Sequence, residues 1–385
     1  MSFGDAVSND CLAIDKLLRK EGYSTAIFAE NLSDKAESLG VRNYRTLPKF
    51  KKDDVILYHL STGTELNRKV AEYDCRKYII YHNTTPPDFF VPYSGKLARL
   101  CNNGLEETKA LNNTFDGGFC DSDYNRQQLV NFGYKCPLKV RPILIPFEDY
   151  KKEPNQEILE KMGGDPNVTP HEVKNILFVG RIAPNKCQED LISLIYAYRN
   201  LYSTPVRLIL VGNPGGMEKF MAKLKAYAST LGLDDIVFTG QISFPAILAY
   251  YRSADCFVSM SEHEGFCMPL IEAMNYEIPV VAYKATAIPD TMGDAGVLLE
   301  SKDPKYVCEK IDKIFEDESY RKQLIEGQNR HIDSYIRDDY EKKLFDIIEE
   351  VKSITSYSYD NSSLEFYKIL LEEIEKLLKI KRADF

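Results

Sequence analysis

Short apolar runs alternate with segments whose apolar residues recur every three or four positions, and the alternation persists along most of the chain. In the first half the runs are STAIFAE (24–30), DVILYHL (54–60), KYIIYHN (77–83), DGGFCDS (116–122) and KVRPILIP (139–146). Their β-branched and aromatic content predicts strands. The periodicity of SNDCLAIDKLLRKEG (8–22) and YNRQQLVNFG (124–133) predicts helices between them. In the second half NILFVG (175–180), VRLILVG (206–212), DIVFTG (235–240), DCFVSMS (255–261) and PVVAYK (279–284) are nearly continuous apolar runs, as in strands buried on both faces. Strands and helices in alternation predict parallel sheets with crossover helices.

Residues 147–174 are polar and broken by Pro154, Gly163, Gly164, Pro166 and Pro170, which predicts an interdomain connection. The expected organisation is α/β: two doubly wound, Rossmann-like parallel-sheet domains at 1–160 and 161–363, followed by a helix within 364–385. That helix puts Leu364, Tyr367, Leu370, Leu371, Ile374, Leu377 and Leu378 on one stripe. It is expected to pack on the body of the protein or cross back to the N-terminal domain, with a membrane surface as the alternative. The opening MSFGDAVSND reads as the turn after a strand, so the first domain is expected to lack its first strand.

A length of 385 residues agrees with two domains. The net charge of -9 argues against a nucleic-acid binder, which would present a basic face. That charge is uneven: residues 1–170 hold 23 Lys+Arg against 24 Asp+Glu, leaving -8 in the remainder. The first half therefore tolerates an anionic surface better than the second. Nine cysteines without a C-x-x-C pair are expected to be reduced thiols. The absence of a signal peptide and of an apolar run of about 18 residues predicts a cytoplasmic protein, with peripheral contact at the inner face of the membrane left open.

Ligands of open α/β sheets bind beyond the carboxyl ends of the strands, which selects the residues after each run. NILFVG ends in Gly180 and leads to Arg181 and Lys186, VRLILVG ends in Gly212, and DCFVSMS leads into SEHEGFCMPLIEAM (261–274). Arg181 and Lys186 put two cations at one strand end, which suits a diphosphate, and equally a solvated loop. A carboxylate accepts paired hydrogen bonds from the vicinal hydroxyls of a ribose or hexose, a task open to Glu264 and Glu272. A helix starting near Cys267 would aim its first amides at an anion. Taken singly, Glu264 reads as a cap and Glu272 as a half-exposed helix residue. Yet Glu272 lies among Leu270, Ile271, Ala273 and Met274, where an unpaired charge is costly. In the first half His82 is expected at the domain gap. His59, with Ser61, Thr62 and Gly63, is a candidate for an acceptor or a phosphate at a helix start. A structural hydrogen bond is the alternative for each histidine. Asp121-Ser122-Asp123 matches D-x-D, but the same residues are preferred at helix N-termini and are read as a cap rather than a metal site.

Gly180-Arg181, Lys186, the E-x(7)-E pair Glu264 and Glu272, PVVAY (279–283) and GDAGVLL (293–299) recur in an order and spacing that resemble the large retaining glycosyltransferases of the GT-B fold, family four, also called glycosyl transferases group 1. LYHLSTG (57–63) and IIYHNTTPPDFF (79–90) resemble the branch of that family associated with cell-surface polysaccharide assembly. The resemblance implies a nucleoside-diphosphate sugar as donor in the C-terminal domain, a glycan or lipid-linked acceptor on the N-terminal domain, and retention of anomeric configuration. It implies no metal, no cofactor and no nucleic-acid partner. Arg181 and Lys186 would then bind the diphosphate, Glu264 the donor sugar and Glu272 the ribose. Gly180, Gly212, Gly265, Phe266 and Leu270 would complete the pocket, and His82 would face it across the gap. KATAIPDT (284–291) departs from the pattern, with Asp290 where Glu is usual and no glycine before Pro289. An epimerase or phosphorylase of the same fold, or a catalytically silent binding protein, would carry many of the same features. Donor base, acceptor and oligomeric state stay open at this level.

Overall fold

The computed structural model describes residues 6–337; the helix expected at 364–382 lies outside them. Strands β1 (Phe28–Ala29) and β2 (Arg42–Asn43) form a separate parallel pair. The first main sheet holds β3 (Val55–Leu60), β4 (Arg76–Tyr81), β5 (Gly117–Cys120) and β6 (Leu138–Val140), all parallel and in chain order. After the 147–174 connection come β7 (Lys174–Val179), β8 (Val206–Val211), β9 (Ile236–Gly240), β10 (Cys256–Ser259), β11 (Val280–Tyr283) and β12 (Val297–Leu299). Their order, β12-β11-β10-β7-β8-β9, runs outward twice from the centre, which is the doubly wound arrangement. The protein has the GT-B fold of two Rossmann-like sheets.

The apolar runs build these sheets as their pattern predicts. Successive residues of one strand point to opposite faces. Ile176 and Phe178 accordingly enter one core cluster with Leu208, Leu210 and Val258, while Leu177 enters another with Ile209, Phe257 and Val280. A third cluster, with Tyr58, Leu60, Ile79, Tyr81 and Leu129, serves the first sheet. Parts of the first half also join the core of the second. Phe90, Ala98 and Cys101, from the turn Pro87–Phe89 and the helix Gly95–Ala110, belong to the cluster that holds Phe220 and Leu224. There Tyr93 packs edge-on against Phe220 at 5.0 Å, and Lys223 Nζ donates to the Tyr93 hydroxyl at 3.0 Å.

Three expectations shift. KVRPILIP yields a strand only at Leu138–Val140, because Pro142 and Pro146 offer no N–H to a ladder. STAIFAE shrinks to Phe28–Ala29, and the two-residue β2 carries no readable period. No described strand joins the β1–β2 pair to the first sheet. The helix expected at 8–22 spans Ala6–Lys20, and Gly22 at φ +87° turns the chain away. Among the described residues no helix is long and apolar enough to cross a membrane.

Candidate functional site

β7 and β10 are neighbours at the switch point of the doubly wound sheet, so the loops leaving them share one crevice. At the tip of β8, a Cβ on Gly212 would lie 1.8 Å from the Gly180 carbonyl oxygen, so only glycine lets these two loops leave side by side. Arg181 is exposed and donates from Nη2 to the Gly215 carbonyl at 3.1 Å. Lys186 ends the turn Pro184–Lys186, and its ammonium donates to both carboxylate oxygens of Glu264 at 2.6 Å.

The loop carrying Glu264 is fixed on several sides. Asn185 Nδ2 donates to the His263 carbonyl at 3.0 Å, and the Glu262 N–H donates to the Asn185 carbonyl at 2.9 Å. Thr286 Oγ1 accepts from the Glu264 N–H and donates to the Glu264 carbonyl. Lys302 ties Glu262 to Asp190, at 2.7 and 2.9 Å. Toward the first half, a Cβ on Gly265 would fall 2.6 Å from the His82 carbonyl oxygen and 2.8 Å from Asn83 Cβ. Ser122 Oγ donates to the Gly265 carbonyl at 2.9 Å, and the Tyr124 N–H donates to Asp290 Oδ2 at 2.9 Å. The departure at 290 thus gives the helix Asp123–Asn131 a carboxylate at its N-terminus from the opposite half. Because Gly265 faces backbone rather than a movable side chain, Gly265→Ala is expected to weaken ligand binding at Glu264 at least tenfold by forcing this loop off the first half. Isothermal titration with the ligand of the wild-type site measures the change.

Glu272 lies on the helix Met268–Asn275 and is buried, but it is not alone. Tyr150 donates its hydroxyl to Oε1, and Tyr251 donates to Oε2 at 2.5 Å. Burial pushes the Glu272 carboxyl up, and the two tyrosine hydrogen bonds work the other way. The apolar run therefore tolerates this carboxylate through two protein hydroxyls. That helix begins at Cys267, which is left-handed at φ 72° and makes no side-chain cap bond.

His82 does not offer its ring to the gap. Its side chain is 2% exposed, Nδ1 meets Asp121 Oδ2 at 2.8 Å, and Nε2 meets His59 Nδ1 at 2.8 Å. Burial opposes charge on His82, but Asp121, with help from Asp10, raises its pKa above the usual value. Burial and the neighbouring His82 push His59 down to about 3, so His59 is the neutral member of the pair. Behind them Arg141 donates from both Nη atoms to the carboxylate of Asp10, at 3.2 and 2.7 Å. Burial would raise the Asp10 carboxyl, and Arg141 overcomes it, holding the group at about 2.

Asp10, His59 and His82 present three possible ligand atoms within 4.8 Å. Two nitrogens on one tetrahedral zinc stand about 3.3 Å apart, given Zn–N bonds near 2.0–2.1 Å. The observed 2.8 Å is instead the length of a hydrogen bond, and Arg141 already neutralises Asp10. The other such group, Cys187, Asp190 and Glu262, has the Lys302 ammonium bonded to both carboxylates. Neither arrangement fits a resident ion.

The crevice therefore gathers Gly180, Arg181, Lys186, Gly212, Glu264 and Gly265. Phe266 and Leu270 are buried core residues that seat the loop and helix. In the D-x-D triplet Ser122 is the N-cap, with its Oγ accepting from the Asn125 N–H, whereas Asp121 belongs to His82. Gly63 packs against Leu100 and Gly104, and the helix start beside it already has the Glu107 carboxylate, which accepts from the Thr64 N–H. Asp10, Arg141, Tyr150 and Tyr251 were not singled out from the sequence, and Asp121, read there as part of a cap, instead holds His82. Only Asp10, a polar residue on the apolar face of its helix, carries a local signal.

Residues 165–331 match the family model described as glycosyl transferases group 1. The O-antigen chain mannosyltransferase B of Escherichia coli is 28% identical over 207 residues, covering 52% of this chain and 51% of that protein. A GDP-mannose-dependent alpha-mannosyltransferase of Mycolicibacterium smegmatis is 37% identical over 125 residues, 32% of this chain and 29% of that protein. The chain spans about half or less of the length of these curated relatives. Among solved structures, a glycosyltransferase of Rickettsia africae aligns with a TM-score of 0.69 at 15% identity, over 93% of this chain and 97% of that one, which is a likeness of fold.

Proposed function

Residues 165–331 belong to the glycosyl transferases group 1 family, and on that premise we propose that this protein is a retaining glycosyltransferase. It takes a sugar from a nucleoside-diphosphate donor and passes it to a glycan or lipid-linked acceptor in polysaccharide synthesis. The observation that supports the reading is the Lys186–Glu264 ion pair at the switch point of the second sheet, with Arg181 two residues past the end of β7. The names of the two curated relatives favour a mannosyl donor, GDP-mannose first.

In this reading the crevice is held by its own charges. The diphosphate replaces Glu264 as the partner of Lys186, Arg181 turns from the Gly215 carbonyl to the phosphates, and the freed Glu264 accepts hydroxyls of the sugar. As the bond to the anomeric carbon breaks, negative charge grows on the departing diphosphate, and the two cations stabilise it where it forms. No metal enters the proposal. The start of Met268–Asn275 has no side-chain cap and adds a positive helix end on the same side. His82 acts through backbone, its carbonyl lying against Gly265, rather than by touching the donor. A lipid-linked acceptor would bring the near-neutral first half to a membrane surface.

Thermal stabilisation by GDP, UDP, ADP, dTDP and CMP, each with and without its sugar, tests the proposal. One diphosphate is expected to raise the melting temperature by several degrees at about 100 times its dissociation constant. The shift is expected to vanish in Arg181→Ala. A folded protein that responds to none of them is not a nucleotide-sugar transferase.

A further inference from the structure

Glu272 stands in an unusual setting for a ligand-binding carboxylate. Both oxygens are engaged inside the protein, by tyrosines from two different elements. Tyr150 comes from the turn Phe147–Lys151 in the connection between the sheets, and Tyr251 from the helix Phe244–Arg252. Each is fixed in turn. Tyr276 stacks on Tyr251 at 5.5 Å with 10° between the rings, and its hydroxyl donates to the Tyr150 carbonyl at 2.6 Å. Phe244 meets the Tyr150 ring edge-on at 5.5 Å. Two hydroxyls are thus held in place by an aromatic cage, each aimed at one oxygen of the same carboxylate.

We infer that Tyr150 and Tyr251 are positioning residues that hold Glu272 as an ionised acceptor for the paired hydroxyls of a nucleotide ribose. The inference rests on the donor-site reading above together with the ribose role that the family resemblance implies for Glu272, and adds to it how the carboxylate is kept usable. A carboxylate has about four lone-pair positions, so two remain after the tyrosines have donated. The hydroxyls take the place of water around a charge that burial alone would neutralise. The titratable groups packed around Glu272 are Tyr150, Tyr251 and Tyr276, with Cys267 at the start of its own helix and Asp149 and Arg252 behind the tyrosines. Among the described residues no cation bonds to it, and the tyrosines alone carry its hydrogen bonds. Tyr150 also makes the connection between the sheets part of the ribose site.

The test is the dissociation constant of the stabilising nucleoside diphosphate, with GDP as first probe and UDP as second, by isothermal titration from pH 6 to 9. The proteins are the wild type, Tyr150→Phe, Tyr251→Phe and Glu272→Gln. Losing one donor raises the carboxyl pKa, so the fraction protonated grows as the pH falls. Each phenylalanine variant is then expected to lose affinity more steeply than the wild type between pH 9 and pH 6, by up to about tenfold for one pKa unit. The wild type is expected to change less over that range. Glu272→Gln, which cannot ionise, is expected to be weak and flat. Phenylalanine keeps the ring packing, and if Tyr251→Phe fails to fold, Tyr150→Phe carries the test alone. Variants that follow the wild-type pH profile, whether weakened or not, overturn the inference and leave the donor site standing, as does a Glu272→Gln that binds normally. A wild type that binds neither diphosphate overturns both.

Discussion

Arg141→Ala is expected to destabilise the protein by about 3–5 kcal/mol, the cost of leaving one member of a buried ion pair without its partner. Arg141 is 3% exposed and Asp10 is fully buried, so water cannot take over for the missing guanidinium. Asp10 also accepts from the Leu144 N–H at 3.1 Å, which leaves it tied to the 140s segment yet uncompensated in charge. The loss should be read as a lowered denaturation midpoint. Asp10→Leu with Arg141→Met should recover much of it, since a well-packed apolar pair often matches a buried ionic one. The pH dependence has a definite sign. The Asp10 carboxyl is held at about 2, against an ordinary value of 3.8. A depressed acid contributes stability that is present above its unfolded value and lost as the pH falls through its folded value. The gap between wild type and variant should therefore be widest where Asp10 is ionised in both proteins, narrow as the pH falls through the raised value that burial gives the carboxyl without Arg141, and be closed by about pH 2. A variant as stable as the wild type at pH 7 would remove Asp10–Arg141 as the anchor of the first helix.

The second large effect falls on turnover. Lys186→Ala is expected to slow release of the nucleoside diphosphate from its sugar nucleotide by about 10²–10³, the usual cost of removing one group that meets charge developing in the transition state. Lys186→Arg keeps the charge but not its compact shape, and should recover only part of the rate. Glu264 is buried and loses its ion-pair partner in the alanine variant, so a melting curve belongs beside the assay to separate a misplaced loop from a lost cation. Unchanged turnover in a folded Lys186→Ala protein would deny Lys186 a role at the leaving group.

What could be read from the sequence follows the range of the interactions involved. The second sheet was visible because strands buried on both faces leave long apolar runs, and β7, β8, β10 and β11 all appear where such runs stand. The nearness of Lys186 and Glu264 could be anticipated because topology delivers the ends of β7 and β10 to one crevice. By contrast, Asp10 and Arg141 lie 131 positions apart, and Tyr150 and Glu272 lie 122 apart. No local period encodes such a pair. His82 shows the limit from the other side. Its place at a strand end was correct, but the direction of its ring depended on Asp121 and His59, which arrive from neighbouring strands.

The packing of Phe90, Ala98 and Cys101 into the second core makes the chain hard to divide. A cut in the 147–174 connection would seem natural from composition, yet either fragment would then present an apolar face built for the other. Such faces favour aggregation over independent folding. The sheets are separate as architecture but form a single unit for synthesis and quality control. Fusions or split designs are better placed in exposed loops away from the helix Gly95–Ala110.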